Sequence, residues 1–127
     1  MCGAAALVAL TAALTPVAPG PLAPIATADG CRLAPRGSGP PCACEAVPGV
    51  ERLLLGWPIA LDRASARDLE ALPGIGARRA AAIVAERERG GPFERARDLE
   101  RVPGLGPATA ARLAPLVSAG GPGCPPR

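Results

Sequence analysis

The chain has 127 residues, of which 49% are apolar and only 2% aromatic; fourteen basic against eleven acidic side chains leave a net charge of +3. That length holds one ordinary domain, and with one Phe and one Trp its core is expected to be Leu, Ile, Val and Ala on helices. His, Lys, Asn, Gln and Tyr are absent, which removes Ser-His-Asp, Cys-His and His-metal chemistry together, so a binding protein without cofactor is expected rather than an enzyme.

No charged side chain precedes Asp29, and Ala4 to Leu14 is an apolar run of eleven residues, the length of a signal-peptide core. Pro16, Pro19, Pro21 and Pro24 break any helix long enough to span a bilayer, and Ala26-Thr27-Ala28 offers an A-x-A cleavage site. Residues 1–28 therefore read as a signal peptide or apolar leader, placing the protein in the periplasm or at a membrane. The missing basic n-region keeps a cytoplasmic location open. Loss of Cys2 with the leader leaves Cys31, Cys42, Cys44 and Cys124, an even number with three full pairings in an oxidising compartment. Four free thiols are the alternative, and Cys42-x-Cys44 lacks the second pair that a zinc site needs.

Residues 29–57 read as a Pro/Gly-rich linker with a short apolar helix over 50–57, and residues 119–127 as a disordered tail. The folded part is expected over residues 58–118. Within it, residues 66–84 and 96–114 align at an offset of thirty with ten identities in nineteen positions, including Asp68/Asp98, Leu69/Leu99, Pro73/Pro103, Gly74/Gly104 and Gly76/Gly106. Two copies of one supersecondary unit follow. Each unit reads helix, tight turn, helix. Ser65 caps the first helix with Asp68 three positions on. Pro73-Gly74 stops that helix, and Gly76 is expected to let the backbone turn where a Cβ would clash. A helix over about 77–89 then buries Ala80, Ile83 and Val84, and Phe93 is the aromatic plug between units. The second unit runs over about 94–102, turns through 103–106 and continues to about 117, with Arg95 where Ser65 stood.

The pattern Leu-x-x-Leu-Pro-Gly-Ile-Gly-x-x-x-Ala-x-x-Ile-Val resembles the helix-hairpin-helix motif, and it occurs twice. The stretch from Ile59 through Gly76, with Glu86-Arg-Glu-Arg-Gly-Gly-Pro-Phe93, is similar to the bacterial competence DNA-receptor (ComEA) type. Leu61-Asp62-Arg63 stands where that family usually has Asn-x-Asn/Thr. The resemblance implies an all-α, SAM-like compact domain of two tandem units with an unstructured N-terminal region and C-terminal tail. It also implies binding of double-stranded DNA in DNA uptake, with a membrane uptake channel or secretion-type machinery as partner. A monovalent cation on the carbonyls of Leu72 and Ile75 is implied as well. A cytoplasmic DNA-repair or processing protein and a SAM-like protein-interaction module are the alternatives.

The physical reason for DNA binding stands beside the resemblance. Gly-apolar-Gly at a helix N-terminus turns successive N–H groups outward, where partial positive charge and unsatisfied donors suit a phosphate oxygen. The expected DNA-binding residues are Gly74, Ile75, Gly76, Arg78 and Arg79 of the first turn, and Gly104, Leu105, Gly106 and Thr109 of the second. Ile75 and Leu105 anchor the turns in the core, while the arginines add charged bonds and Thr109 only a neutral one. Such contacts ignore base identity. Ten Arg against eight acids give residues 58–118 a charge of only +2. The interleaved Arg87, Arg89, Arg95 and Arg97 with Glu86, Glu88, Glu94 and Asp98 read as a salt-bridged surface.

Overall fold

The computed structural model describes residues 20–121 and 123–124; the apolar run expected at Ala4–Leu14 lies outside them. The chain enters through a β-hairpin. Strand β1 (Leu22–Thr27) pairs antiparallel with β2 (Gly30–Pro35), in register from Leu22↔Pro35 to Thr27↔Gly30. The loop is Ala28–Asp29, closed by Gly30 at φ +122° and by the Thr27 hydroxyl donating to the Gly30 carbonyl at 2.8 Å. The chain then returns along the other edge of β1. The Ala26 amide donates to the Pro40 carbonyl at 2.9 Å and the Cys42 amide to the Pro24 carbonyl at 3.1 Å. Pro24 lacks an N–H, but its carbonyl still serves the ladder. A Cys31–Cys42 disulfide joins the two segments that flank β1.

The expected all-α fold with an unstructured N-terminal region is thus corrected on two counts. The hairpin is the first. The second is a parallel pair, β3 (Ile59–Ala60) with β4 (Val117–Ser118), extended by the Leu61 amide donating to the Ser118 carbonyl at 2.9 Å. It forms because packing two tandem units brings the domain's entry and exit together, and β-branched Ile59 and Val117 are both buried there. The hairpin also bears on Ala26-Thr27-Ala28: cleavage after Ala28 would sever β1 from β2. Among the described residues no helix is long and apolar enough to cross a membrane.

Between hairpin and domain lies α1 (Gly49–Leu54), whose first amide, that of Gly49, donates to Asp68 Oδ1 at 2.8 Å. A Cβ on Gly49 would stand 2.5 Å from the Asp68 carbonyl oxygen, so only glycine lets α1 approach this closely. Arg52 of α1 is buried and donates to the carbonyls of Pro58, Cys44 and Gly123. Together with the Cys44–Cys124 disulfide and the Gly120 amide on Asp62 Oδ2, it ties down the expected tail as far as Cys124.

The domain proper comprises α2 (Ala66–Leu69), α3 (Ala77–Gly90), a 3-10 helix (Ala96–Arg101), α4 (Pro107–Leu113) and a second 3-10 turn (Ala114–Leu116). Its core repeats with the sequence. Leu69, Leu72, Ile75, Ala80 and Ile83 are buried in the first unit, and Leu99, Val102, Leu105, Ala110 and Leu113 occupy the same five positions in the second. Phe93 is fully buried between them, and its amide donates to Asp62 Oδ1 at 2.7 Å. Val84 is only half-buried; the buried neighbour on α3 is Glu86, which pairs with Arg89 and Arg101.

Candidate nucleic-acid interface

The two turns are built alike. Ser65 and Asp68 cap α2 reciprocally: the Asp68 amide donates to Ser65 Oγ at 3.1 Å and the Ser65 amide to Asp68 Oδ2 at 3.2 Å. Burial alone would raise the Asp68 carboxyl, but bonds from the Ser65 side chain and the Gly49 and Ser65 amides, with the charge of Arg52, hold it below the ordinary carboxylate value. In the second unit only half of this box survives. Asp98 accepts the amides of Arg95 and Glu94, which with the charges of Arg95 and Arg101 lower its carboxyl too.

Both units then close a Pro-Gly turn. The Ile75 amide donates to the Leu72 carbonyl at 3.1 Å and the Leu105 amide to the Val102 carbonyl at 3.0 Å, with Gly74 at φ +78° and Gly104 at φ +85°. Pro at the second position and a left-handed glycine at the third is the type II arrangement. Ile75 and Leu105 are buried beneath the turns at 3% and 4% exposure.

Gly76 and Gly106 differ from expectation. Both are extended, at φ −89°, ψ 179° and φ −94°, ψ 176°, conformations open to any residue, and a Cβ on either would meet nothing within 4 Å. The fold does not need glycine there; the left-handed residues are Gly74 and Gly104. Gly76 and Gly106 are instead the N-caps of α3 and α4, and neither helix has a side-chain cap. The first intrahelical bonds run from Ala80 to Gly76 and from Ala110 to Gly106. The amides of Ala77, Arg78 and Arg79, and of Ala108 and Thr109, therefore lack an intrahelical acceptor; Pro107 has no amide to offer.

Arg78 and Arg79 are exposed, and Arg79 Nη1 donates to the Gly74 carbonyl at 2.7 Å, clasping its own turn. Thr109, the corresponding residue of the second unit, is half-buried. An open groove of about 630 Å³ is lined by Gly76, Arg78, Arg79 and Ala82 on one side and by Pro103 and Gly104 on the other. It brings the start of α3 and the second turn onto one face. The expected salt-bridged surface is largely absent among the described residues: ion pairs converge on Glu86 alone, Arg87 donates to the carbonyls of Leu61 and Ala64, and Asp98 serves as a cap. Sequence reasoning passed over Arg112, whose Nη2 stands 3.8 Å from where a Gly74 Cβ would be. The thirty-residue offset, which equates Arg112 with Ala82, was the available signal.

No curated protein matches the chain in sequence. Residues 58–118 match the family model described as helix-hairpin-helix motif. The repeat, the two Pro-Gly turns and the uncapped helix starts coincide with that match, and residues 58–118 carry the helix-hairpin-helix motif.

Proposed function

We propose that the protein binds double-stranded DNA through its phosphates, without sequence preference and without catalysis, and that it works outside the cytoplasm in DNA uptake of the competence-receptor type. The single observation that carries the reading is the groove joining the uncapped start of α3, with Arg78 and Arg79, to the second Pro-Gly turn. Unsatisfied amides at a helix N-terminus attract a phosphate oxygen, and adjacent guanidinium groups add charged bonds to it. Two disulfides, Cys31–Cys42 and Cys44–Cys124, support an oxidising compartment, where such bonds persist. A membrane uptake channel is the partner that this reading expects. The cation implied by resemblance, on the carbonyls of Leu72 and Ile75, would share its turn with a guanidinium, since Arg79 Nη1 donates to the Gly74 carbonyl between them in sequence.

Titration of a labelled duplex with the full chain tests the proposal. Two turns and two adjacent arginines neutralise about two to four phosphates, giving a log–log salt slope of about −2 to −4. Arg78→Ala with Arg79→Ala weakens binding more than Thr109→Ala, because a charged hydrogen bond is roughly twice as strong as a neutral one. A salt-independent affinity, or a strong preference for one sequence, refutes phosphate reading. Absence of binding by the folded protein promotes the protein-interaction alternative.

A further inference from the structure

Each unit's second helix faces the other unit's turn at one equivalent position, and only one of the two carries charge there. Ala82, on α3, lines the groove with Pro103 and Gly104 of the second turn. Its counterpart thirty residues on is Arg112, on α4, and Arg112 Nη2 lies 3.8 Å from the Cβ position of Gly74 in the first turn. The same position of each unit's second helix thus faces the other unit's turn glycine, but only the long Arg112 side chain reaches it; a Cβ on Gly104 would meet nothing within 4 Å. Arg112 is exposed, and none of the ion pairs among the described residues involves it.

Resting on the DNA-binding reading above, we infer that Arg112 is a phosphate-binding residue of the first turn, supplied across the domain by the second unit. Two guanidinium groups then flank Gly74. Arg79 reaches its carbonyl from α3, and Arg112 stands over the face where a side chain would project. A phosphate approaching the amides at the start of α3 meets both. The second turn has no equivalent, since Ala82 offers only a methyl group. The first turn therefore owes part of its affinity to a residue outside its own unit.

The test uses the full chain and a short mixed-sequence duplex, with affinity measured over a series of salt concentrations. Arg112→Ala is expected to weaken binding about three- to tenfold and to make the salt slope shallower by about 0.9, the signature of one lost phosphate contact. Arg112→Lys keeps the slope, because the charge remains. Arg97→Ala is the charge-matched control, an exposed arginine that comes within 4 Å of neither turn glycine's Cβ position, and should change neither quantity. Ala82→Arg installs the missing cation beside Gly104 and is expected to tighten binding and steepen the slope by about 0.9. Circular dichroism checks folding, and if Arg112→Ala proves unfolded the Ala82→Arg arm decides. Salt-dependent binding by the native protein, with Arg112→Ala no worse than Arg97→Ala, overturns the inference and leaves the DNA reading standing. Absence of salt-dependent binding by the native protein overturns both.

Discussion

Gly76→Ser separates what the fold needs at the first turn from what DNA needs. The backbone at Gly76 lies at φ −89°, ψ 179°, close to that of Ser65, which caps α2 at φ −69°, ψ 162°. A Cβ at 76 meets nothing within 4 Å, so the hydroxyl can accept an amide of Arg78 or Arg79, as Ser65 Oγ accepts that of Asp68. Serine is a better N-cap than glycine by a few tenths of a kcal/mol, and losing glycine's freedom in the unfolded chain contributes about 0.4–1 kcal/mol more. The variant is therefore expected to be more stable by about 0.5–1.3 kcal/mol, which raises the melting temperature by about 2–8 °C.

DNA binding should move the opposite way. The new hydroxyl takes one of the donors reserved for phosphate and turns its own lone pair toward the incoming anion. A hydrogen bond to a charged group contributes about 1.5–3 kcal/mol, so affinity is expected to fall about ten- to hundredfold. Thermal melts and anisotropy titrations at one low salt concentration read the two signs independently. A variant that melts higher and binds DNA as tightly as the native protein would falsify the use of the α3 amides. One that melts lower would show that the cap geometry was misjudged. Gly106→Ser should weaken binding less, since Pro107 leaves fewer donors at that helix start.

Gly74→Ala should fail in a different way, losing about 1–3 kcal/mol of stability because a Cβ is forced into the left-handed region at φ +78°. Replacing Cys44 and Cys124 by Ala opens a link between residues 80 apart, for which loop-closure entropy gives about 4–5 kcal/mol, against about 3 kcal/mol for the eleven-residue Cys31–Cys42 link; melts of the two double variants should rank in that order. Asp68→Asn keeps a single acceptor oxygen, so either the Gly49 or the Ser65 amide loses its partner and faces an NH2 group, and the variant should be destabilised near neutral pH. The native carboxyl's lowered value means that its contribution is present above the unfolded-state value of about 3.9 and is lost as pH falls through the folded one, so denaturation curves of the two proteins should converge only in that acidic range. If the leader is cleaved, intact mass should place the mature N-terminus before Leu22, since β1 is the middle strand of its ribbon; a chain starting at Asp29 contradicts this, and a full-length chain with reduced thiols contradicts export itself.

What the sequence made legible was local and repeated. Pro-Gly fixes a turn within four residues, and Leu69, Leu72, Ile75, Ala80 and Ile83 recur thirty positions later with the same burial. The role of each glycine was harder to read. Nothing in Gly-Ile-Gly shows that the first glycine is left-handed and the second extended, unless Pro73-Gly74 is taken as the centre of a type II turn. The hairpin was missed because Leu22–Thr27 is rich in Ala and Pro, which resembles a leader more than a strand. Gly30, which takes a positive φ directly after the Ala28–Asp29 loop, was the overlooked cue. Strands β3 and β4 are two residues each and show no periodicity; only the meeting of the domain's ends creates them. Arg112 escaped because its relation to Gly74 runs between the units and not along either one.

The position of these unforeseen parts says what they do. Arg87 of α3 donates to the carbonyls of Leu61 and Ala64, so the entry of the domain lies at the far end of that helix from Gly76. Eleven residues of helix separate Gly76 from Arg87, about 16 Å along the axis. The β3–β4 pair extends to Leu61 by the bond from its amide to Ser118, and Arg52 and Cys44–Cys124 bring the tail to Pro58 and to the segment before α1. The closure therefore sits at the entry and exit of the domain, away from the helix starts that face the groove. A small core of aliphatic side chains with one Phe leaves a domain of this size marginal, and links that constrain the unfolded chain stabilise it without touching the turns. Opening Cys44–Cys124 should then lower the melting temperature while DNA affinity, measured well below that temperature, stays at the native value. A large loss of affinity in the folded variant would mean that the closure also shapes the groove, and that the hydrogen bonds within the turns do not by themselves hold the helix starts in place.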